Sequence, residues 1–467
     1  SKQLNSLIKG LMFIQFYQNI ILKNPKSVLL ILLITLISFG YHSKDFRLDA
    51  SSETLLIEGD PDLKYLQEIS EKYGSKEFLI LTYTPNEAMV SDNSINNLLS
   101  LKYKIQSLNW VHSVITLLDI PLLNSSDAPL QERLEKFKTL KDKDIDRERG
   151  FNEILSSPVF RNFVISEDGK TSGIIINIKK DQEKNLSSKS KKELEKYKDQ
   201  IKKQNHLNIL EIRDVIKSYE NIGKIHLGGI PMIADDMMSF IKSDIIVFGI
   251  GVFLFIVGTL WFVFRKLIWI IVPISSCFFS VIIMMGILGL LGWKVTVISS
   301  NFIALMLILT MAMNIHMSTR FLQLKKLYPE KNNFEVLSLT TSKMSWPILY
   351  TVLTTVIAFL SLIFSEIKPI IDFGWMMTFG LITSFIITFT LLPTLLNFTP
   401  SENISVKEDK DSKITFILGE LSINNQKSIF IITILIIILS IFGISKLEVE
   451  NSFINYFSKK TEIYKGM

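Results

Sequence analysis

Residues 245–264 read IIVFGIGVFLFIVGTLWFVF; Arg265 and Lys266 follow, and residues 267–291 then read LIWIIVPISSCFFSVIIMMGILGLL. Each run reaches the roughly 20 apolar residues that carry a helix across about 30 Å of hydrocarbon. Helix is the form to expect there, because lipid offers no partner to a bare backbone N–H or C=O. Working outward, similar segments fall at 27–41, 295–313, 346–364, 370–396 and 428–444, which makes seven. The first is short, but Lys26 and Lys44 can snorkel to the two interfaces. Composition agrees, since 48% of the 467 residues are hydrophobic and the mean hydropathy is +0.32.

The basic residues are unevenly shared among the links. Residues 1–26 hold Lys2, Lys9, Lys23 and Lys26 and no acid. The link after the second segment holds Arg265 and Lys266. The link after the fourth holds Arg320, Lys325, Lys326, Lys331 and Lys343 against Glu330 and Glu335. Links on the other side hold only Lys294, or Glu366 with Lys368. The positive-inside rule therefore predicts a cytoplasmic N-terminus. The organisation expected is a cytoplasmic stretch over 1–26, a first span over 27–42 and an extracytoplasmic domain over 43–242. Five spans follow within 243–398, then a cytoplasmic linker over 399–427, a seventh span over 428–445 and the start of a second outer domain over 446–467.

The large domain alternates like an α+β fold. Strands are predicted at 77–84, 111–117, 171–179 and 224–227, with helices at 94–107 and 188–219 and a polar helical stretch at 129–154. Without that stretch the order is β-α-β-β-α-β, the ferredoxin-like split βαβ arrangement. The fold class expected is thus an α-helical polytopic membrane protein carrying an α+β outer domain. The lysine run from Lys189 to Lys203 reads as the solvated face of a helix rather than a ligand site.

Function classes fall away next. A net charge of +6 could suit nucleic acid, but no basic stripe with interleaved aromatics exists. A single cysteine, Cys277, rules out a disulfide framework and a zinc cluster. His42, His112, His206, His226 and His316 are scattered, and no phosphate-binding loop or H-E-x-x-H motif occurs. No catalytic residue, metal site or cofactor is expected, and the chain does not read as an enzyme. Asp235-Asp236 resembles a metal-binding pair but better suits a helix start and an interface role. Trp261, Trp269, Trp293 and Trp375 lie near segment ends and read as interface anchors.

A repeat is visible. Phe46-Arg47-Leu48-Asp49, Ser51-Ser52 and Leu55-Leu56 follow the first segment; Leu447-Glu448-Val449-Glu450, Asn451-Ser452 and Phe453-Ile454 follow the seventh. The seventh segment thus reads as the first helix of a second copy, a transporter habit. With Ser1 in place of Met, no signal peptide and a stop at Met467, the sequence reads as the first half of a longer polypeptide.

Further motifs stand in order along the chain: Leu48-Asp49-x-Ser51, Glu58-Gly59-Asp60-Pro61, Tyr73-Gly74-Ser75-x-Glu77 and VITLLDIP at 114–121. Next come Glu167-Asp168-Gly169-Lys170-Thr171, Gly228-Gly229-x-Pro231, Ile315-His316, Arg320-Phe321, Asp372-Phe373-Gly374 and Leu392-Pro393. Asn451-Ser452-Phe453 and Tyr456-Phe457 follow the restart. In this order they resemble half of an RND-superfamily permease of the MMPL or predicted-exporter branch, whose membrane part is similar to a sterol-sensing domain. The resemblance implies a multi-pass protein of the bacterial inner membrane with a periplasmic porter-like domain. It implies export of lipid or another hydrophobic substrate driven by a proton or sodium gradient. The partners it implies are membrane lipids, the second half of the polypeptide and, in some branches, further copies of the chain. A lipid-sensing or assembly module that does not pump is the alternative.

In such relatives the fourth helix carries acidic residues eight and seven positions before an arginine. Here Arg320 is preceded at those positions by Ala312 and Met313, and no Asp, Glu, Lys or Arg lies between Val295 and Thr319. The polar residues left for an ion path are Asn301, Thr310, Asn314 and His316 on this helix, with Thr354 on the next. Asn314 reads either as glue between helices or as part of a transport path. His316 can titrate near neutral pH, or can simply sit at the helix end near Arg320. Thr351, Thr354 and Thr355 either reach that region or bond to their own backbone.

Overall fold

A computed structural model describes residues 17–49, 65, 68–69, 78–125, 137–142, 144–179, 191–399, 413–448, 455 and 457–466. Ser51-Ser52, Leu55-Leu56, Glu58 to Pro61, Tyr73 to Glu77, the start of the 129–154 stretch, residues 400–412 of the linker, Asn451 to Ile454 and Tyr456 lie outside the described residues. In chain order the elements are α1 (Pro25–His42), β1 (Arg47–Leu48), β2 (Phe78–Pro85), α2 (Asp92–Gln106), β3 (Val111–Ile115), α3 (Arg147–Ser156), β4 (Ser172–Ile178), α4 (Lys191–Ser218) and β5 (Gly223–Gly228). There follow α5 (Ile230–Phe264), α6 (Ile268–Leu291), β6 (Lys294–Val295), α7 (Phe302–Leu327), α8 (Asn333–Leu360), α9 (Lys368–Asn397), α10 (Lys413–Asn424), α11 (Gln426–Ile444) and α12 (Glu462–Gly466). The chain forms two compact units, a helix bundle and a lobe. It passes between them near Asp49, between Ser239 and Phe240 within α5, and near Val449.

In the bundle unit, α1, α5, α6, α7 with the turn before it, α8, α9 and α11 are long and apolar enough to cross a membrane. Hydropathy located these helices better than it located their ends. The fourth segment was expected over 295–313, yet its helix runs from Phe302 to Leu327. The fifth was expected from residue 346, yet its helix starts at Asn333, where the Asn332 side chain accepts from the Glu335 N–H. The second was expected from 245, yet its helix starts at Ile230. A greasy window finds the part of a helix that lipid would surround; capping groups decide where the backbone stops being helical. Trp269 departs from its expected role as an anchor. It is 2% exposed and packs, with tilted rings, between Phe264 and Phe321, both at 6.0 Å.

Proline chemistry explains a contact that no motif announced. Pro393 lies inside α9 and has no N–H, so the carbonyl of Phe389, four residues earlier, loses its helical partner. The buried Tyr17 hydroxyl donates to that carbonyl at 2.5 Å. Nearby the Asn397 side chain donates to Leu22 O at 3.3 Å, and Gln18 bonds Ser338. The segment before the first span is thereby fastened to α8 and α9. Tyr17→Phe keeps the ring and removes the donor. It should destabilise the bundle by about 1–3 kcal/mol, the cost of a buried carbonyl left bare. Thermal unfolding in detergent checks this, and a wild-type melting temperature for the variant would contradict it.

In the lobe the sheet order is β3-β4-β2-β5, antiparallel throughout. Burial alternates with the pleat: Leu79, Leu81 and Tyr83 on β2 and Ile174 and Ile176 on β4 are fully buried. Against these pack the apolar stripes of α2 (Ile95, Leu98, Leu101, Ile105) and α4 (Ile209, Ile212, Val215, Ile216). The Ser91 side chain caps α2 by accepting from the Ser94 N–H at 3.1 Å. At the end of β5, Gly229 has φ +113, where a Cβ would press on Phe78 O at 2.9 Å. Helix in the 129–154 region covers only Arg147–Ser156 among the described residues. The segment after the seventh span belongs to this unit: Ile463 is fully buried in the lobe core, and Phe457 packs against it.

Asp119 ties three parts of the lobe together. It accepts from Lys102 Nζ at 2.5 Å, Lys141 Nζ at 2.6 Å and the Thr116 N–H at 2.8 Å. Burial alone would raise its carboxyl, but the two lysines and Thr116 hold it below the usual carboxylate range. A depressed folded-state value means the stabilisation is present above the unfolded value, about 4, and is lost as pH falls through the folded one. Lobe stability should therefore drop in acid, and Asp119→Asn should flatten that limb. Denaturation of both proteins between neutral pH and strong acid checks it; parallel pH curves would count against the claim.

Candidate functional site

Within a bundle of Leu, Ile, Val, Met and Phe, α7 carries Thr310, Asn314 and Ser318 at every fourth position. That spacing puts them on one face of the helix, and all three are 0% exposed. Thr310 Oγ1 donates to Ser384 Oγ of α9 at 2.7 Å. Asn314 Nδ2 donates to Pro273 O of α6 at 3.2 Å and approaches Cys277 Sγ at 3.8 Å. One turn beyond Ser384, Thr388 is also 0% exposed. Met313, Met317, Phe321, Trp269 and Val272 share the surrounding core. The result is a neutral polar layer shared by three helices.

Of the five residues expected to line an ion path, the structure brings two into this layer, Thr310 and Asn314. Asn301 is exposed at the turn preceding α7 and makes no side-chain cap. His316 is exposed, on a different side of α7 from Asn314. Thr354 is exposed and bonds its own helix at Tyr350 O and Thr351 O. Its neighbours do likewise, Thr351 to Pro347 O and Thr355 to Thr351 O. Sequence reasoning missed Ser318, Ser384 and Thr388. Their signal was the four-residue spacing of small hydroxyls along α7 and α9.

Asp235 and Asp236 each face a side chain of α4. Asp235 faces His206 Nδ1 at 2.9 Å, and Asp236 faces Arg213 Nη2 at 2.8 Å. The same guanidinium holds Glu462, with Nε at 2.9 Å. Burial alone would lower the Arg213 pKa, but Asp236 and Glu462 hold it above its ordinary value. Among the described residues no group of three or more His, Cys, Asp or Glu could hold a metal ion.

Residues 122–416, more than half of the sequence, match the MMPL family. The chain belongs to the MMPL family. Its resemblance to RND permeases and its seven apolar helices fit that membership, and it is a multi-pass membrane protein. No curated protein matches the chain. The polar layer of Thr310, Asn314, Ser318, Ser384 and Thr388 lies within the matched MMPL residues.

Proposed function

We propose that this chain belongs to an RND/MMPL-type transporter that exports lipid or another hydrophobic substrate from the bacterial inner membrane, driven by an ion gradient. The observation that carries it is the MMPL match over 122–416, which takes in part of the lobe and the five spans of α5 to α9. The lysine-rich links support a cytoplasmic N-terminus and an outer lobe. The sheet order β3-β4-β2-β5, with two helices on one face, supports a ferredoxin-like, porter-type lobe. The buried polar layer supports ion coupling, since polar side chains inside a membrane bundle cost free energy and mark substrate or ion paths.

The test is flux. Full-length protein in proteoliposomes, given a fluorescent lipid and an imposed sodium or proton gradient, should move the lipid faster than without a gradient. Flux that ignores both gradients would remove the coupling idea. Ala312 and Met313, where relatives carry acids, favour a second reading: a sterol-sensing-like bundle that binds lipid without pumping. Saturable lipid binding with no flux would select it.

A further inference from the structure

Two groups stand apart among the buried hydroxyls of the bundle. Buried Ser280, Thr340, Thr341, Thr378 and Thr394 each donate to the carbonyl four residues earlier on their own helix. Such back-bonding is the default for a hydroxyl in a membrane helix. Ser318 Oγ and Thr388 Oγ1 are as deeply buried, and neither has a partner among the described residues. Asn314 Oδ1 has none either, although its Nδ2 is bonded.

These three oxygens belong to one region. Helices α7 and α9 keep a constant register, in which Thr310 meets Ser384 at an offset of 74 residues. Met306 and Gly380 have the same offset: a Cβ at Gly380 would lie 2.9 Å from Met306 Sδ. The next step of that register sets Asn314 level with Thr388, and Ser318 stands one helical turn further along α7. So three buried oxygens, two on α7 and one at the matching level of α9, are left bare, while other buried hydroxyls bond their own helices.

We propose that Asn314 Oδ1, Ser318 Oγ and Thr388 Oγ1 form a site for a small monovalent cation, sodium rather than a proton. Amide and hydroxyl oxygens do not hold a proton at physiological pH, so this set cannot do what a buried carboxylate does. Uncharged oxygen donors suit a hard cation. A divalent ion would bring a charge that no carboxylate of this set balances, and the short Ser and Thr side chains in a close-packed core favour a small ion. The inference rests on the reading of this layer as the coupling path, but its test reads binding directly.

Purified full-length protein is melted in sodium, potassium or N-methylglucamine chloride at equal ionic strength. Sodium should raise Tm saturably, by about 3 °C when the site is filled, and N-methylglucamine should not. Thr388→Val keeps the shape and removes the hydroxyl. It should lose the sodium response and, in N-methylglucamine, melt no lower than wild type. Ser318→Ala should also lose the response, and it reads the site should the valine variant fail to fold. Equal shifts in all three salts would overturn the proposal, as would a wild-type sodium response in the foldable variants. Lipid flux driven by protons alone with no sodium-dependent melting would remove the site and leave export standing. Sodium-dependent melting with no flux under any gradient would remove the export reading and leave the site.

Discussion

Valine at position 286 is expected to be the most damaging single change in the helix bundle. A Cβ at Gly286 of α6 would lie 2.1 Å from Phe39 O and 2.6 Å from Phe39 Cβ of α1. One turn on, a Cβ at Gly289 would lie 2.1 Å from His42 O. The two helices thus meet backbone to backbone, as small residues allow where lipid gives helices no hydrophobic reason to associate. Backbone atoms cannot rotate out of the way as a side-chain end can, so α1 would have to withdraw. Withdrawal would also strip Val28 and Leu32 from Ile283, Ile387 and Leu391, with which they are buried. Overpacking of this kind costs upwards of about 3 kcal/mol, which lowers Tm by roughly 6–12 °C in a domain of this size. Thermal unfolding in detergent measures it, and a change of only a degree or two would refute the close approach.

Ile463→Ala should produce the largest effect in the lobe. This residue follows the seventh span, yet it is fully buried among residues contributed by the sheet and by α2 and α4. Its neighbour Glu462 shares the Arg213 guanidinium with Asp236. Truncating a fully buried Ile to Ala costs about 2–5 kcal/mol. If residues 462–466 hold the edge strand β5 in place, the loss should appear there. Amide exchange over residues 223–228 should accelerate roughly hundredfold. Unchanged exchange in β5 would mean that the segment merely rests on the lobe.

The legible parts of this protein were those with a strong period. The spans were visible because an apolar run of about 20 residues has few soluble uses; β4 showed only a weak alternation around Gly173, Ile175 and Asn177, and it is burial in the fold that alternates clearly, at Leu79, Leu81 and Tyr83 and at Ile174 and Ile176. The repeat after the seventh segment pointed to Leu447 and its neighbours, but no pattern said that Ile463 would fill the lobe core. Long-range closure of that kind leaves no local period. At the candidate site, Asn314 stood out because an amide in an apolar helix is costly. Ser318 and Thr388 did not, because serine and threonine usually satisfy themselves on their own helix. Beyond their four-residue spacing, what distinguishes them is their failure to do so, and bonding is not written in composition. His316 and Thr354 drew notice as residue types, and helical geometry turned both away from the layer.

The hydroxyl of Tyr17 on the Phe389 carbonyl bears on how this protein should be handled at the bench. A hydropathy plot invites the experimenter to begin a recombinant version at Pro25, where the first apolar run starts. That version would lack the one phenol that seals a proline-made gap in a helix more than 350 residues downstream, and its poor yield would be blamed on the wrong end of the chain. Affinity tags and fluorescent fusions belong ahead of Tyr17 on a spacer, leaving residues 17–24 untouched.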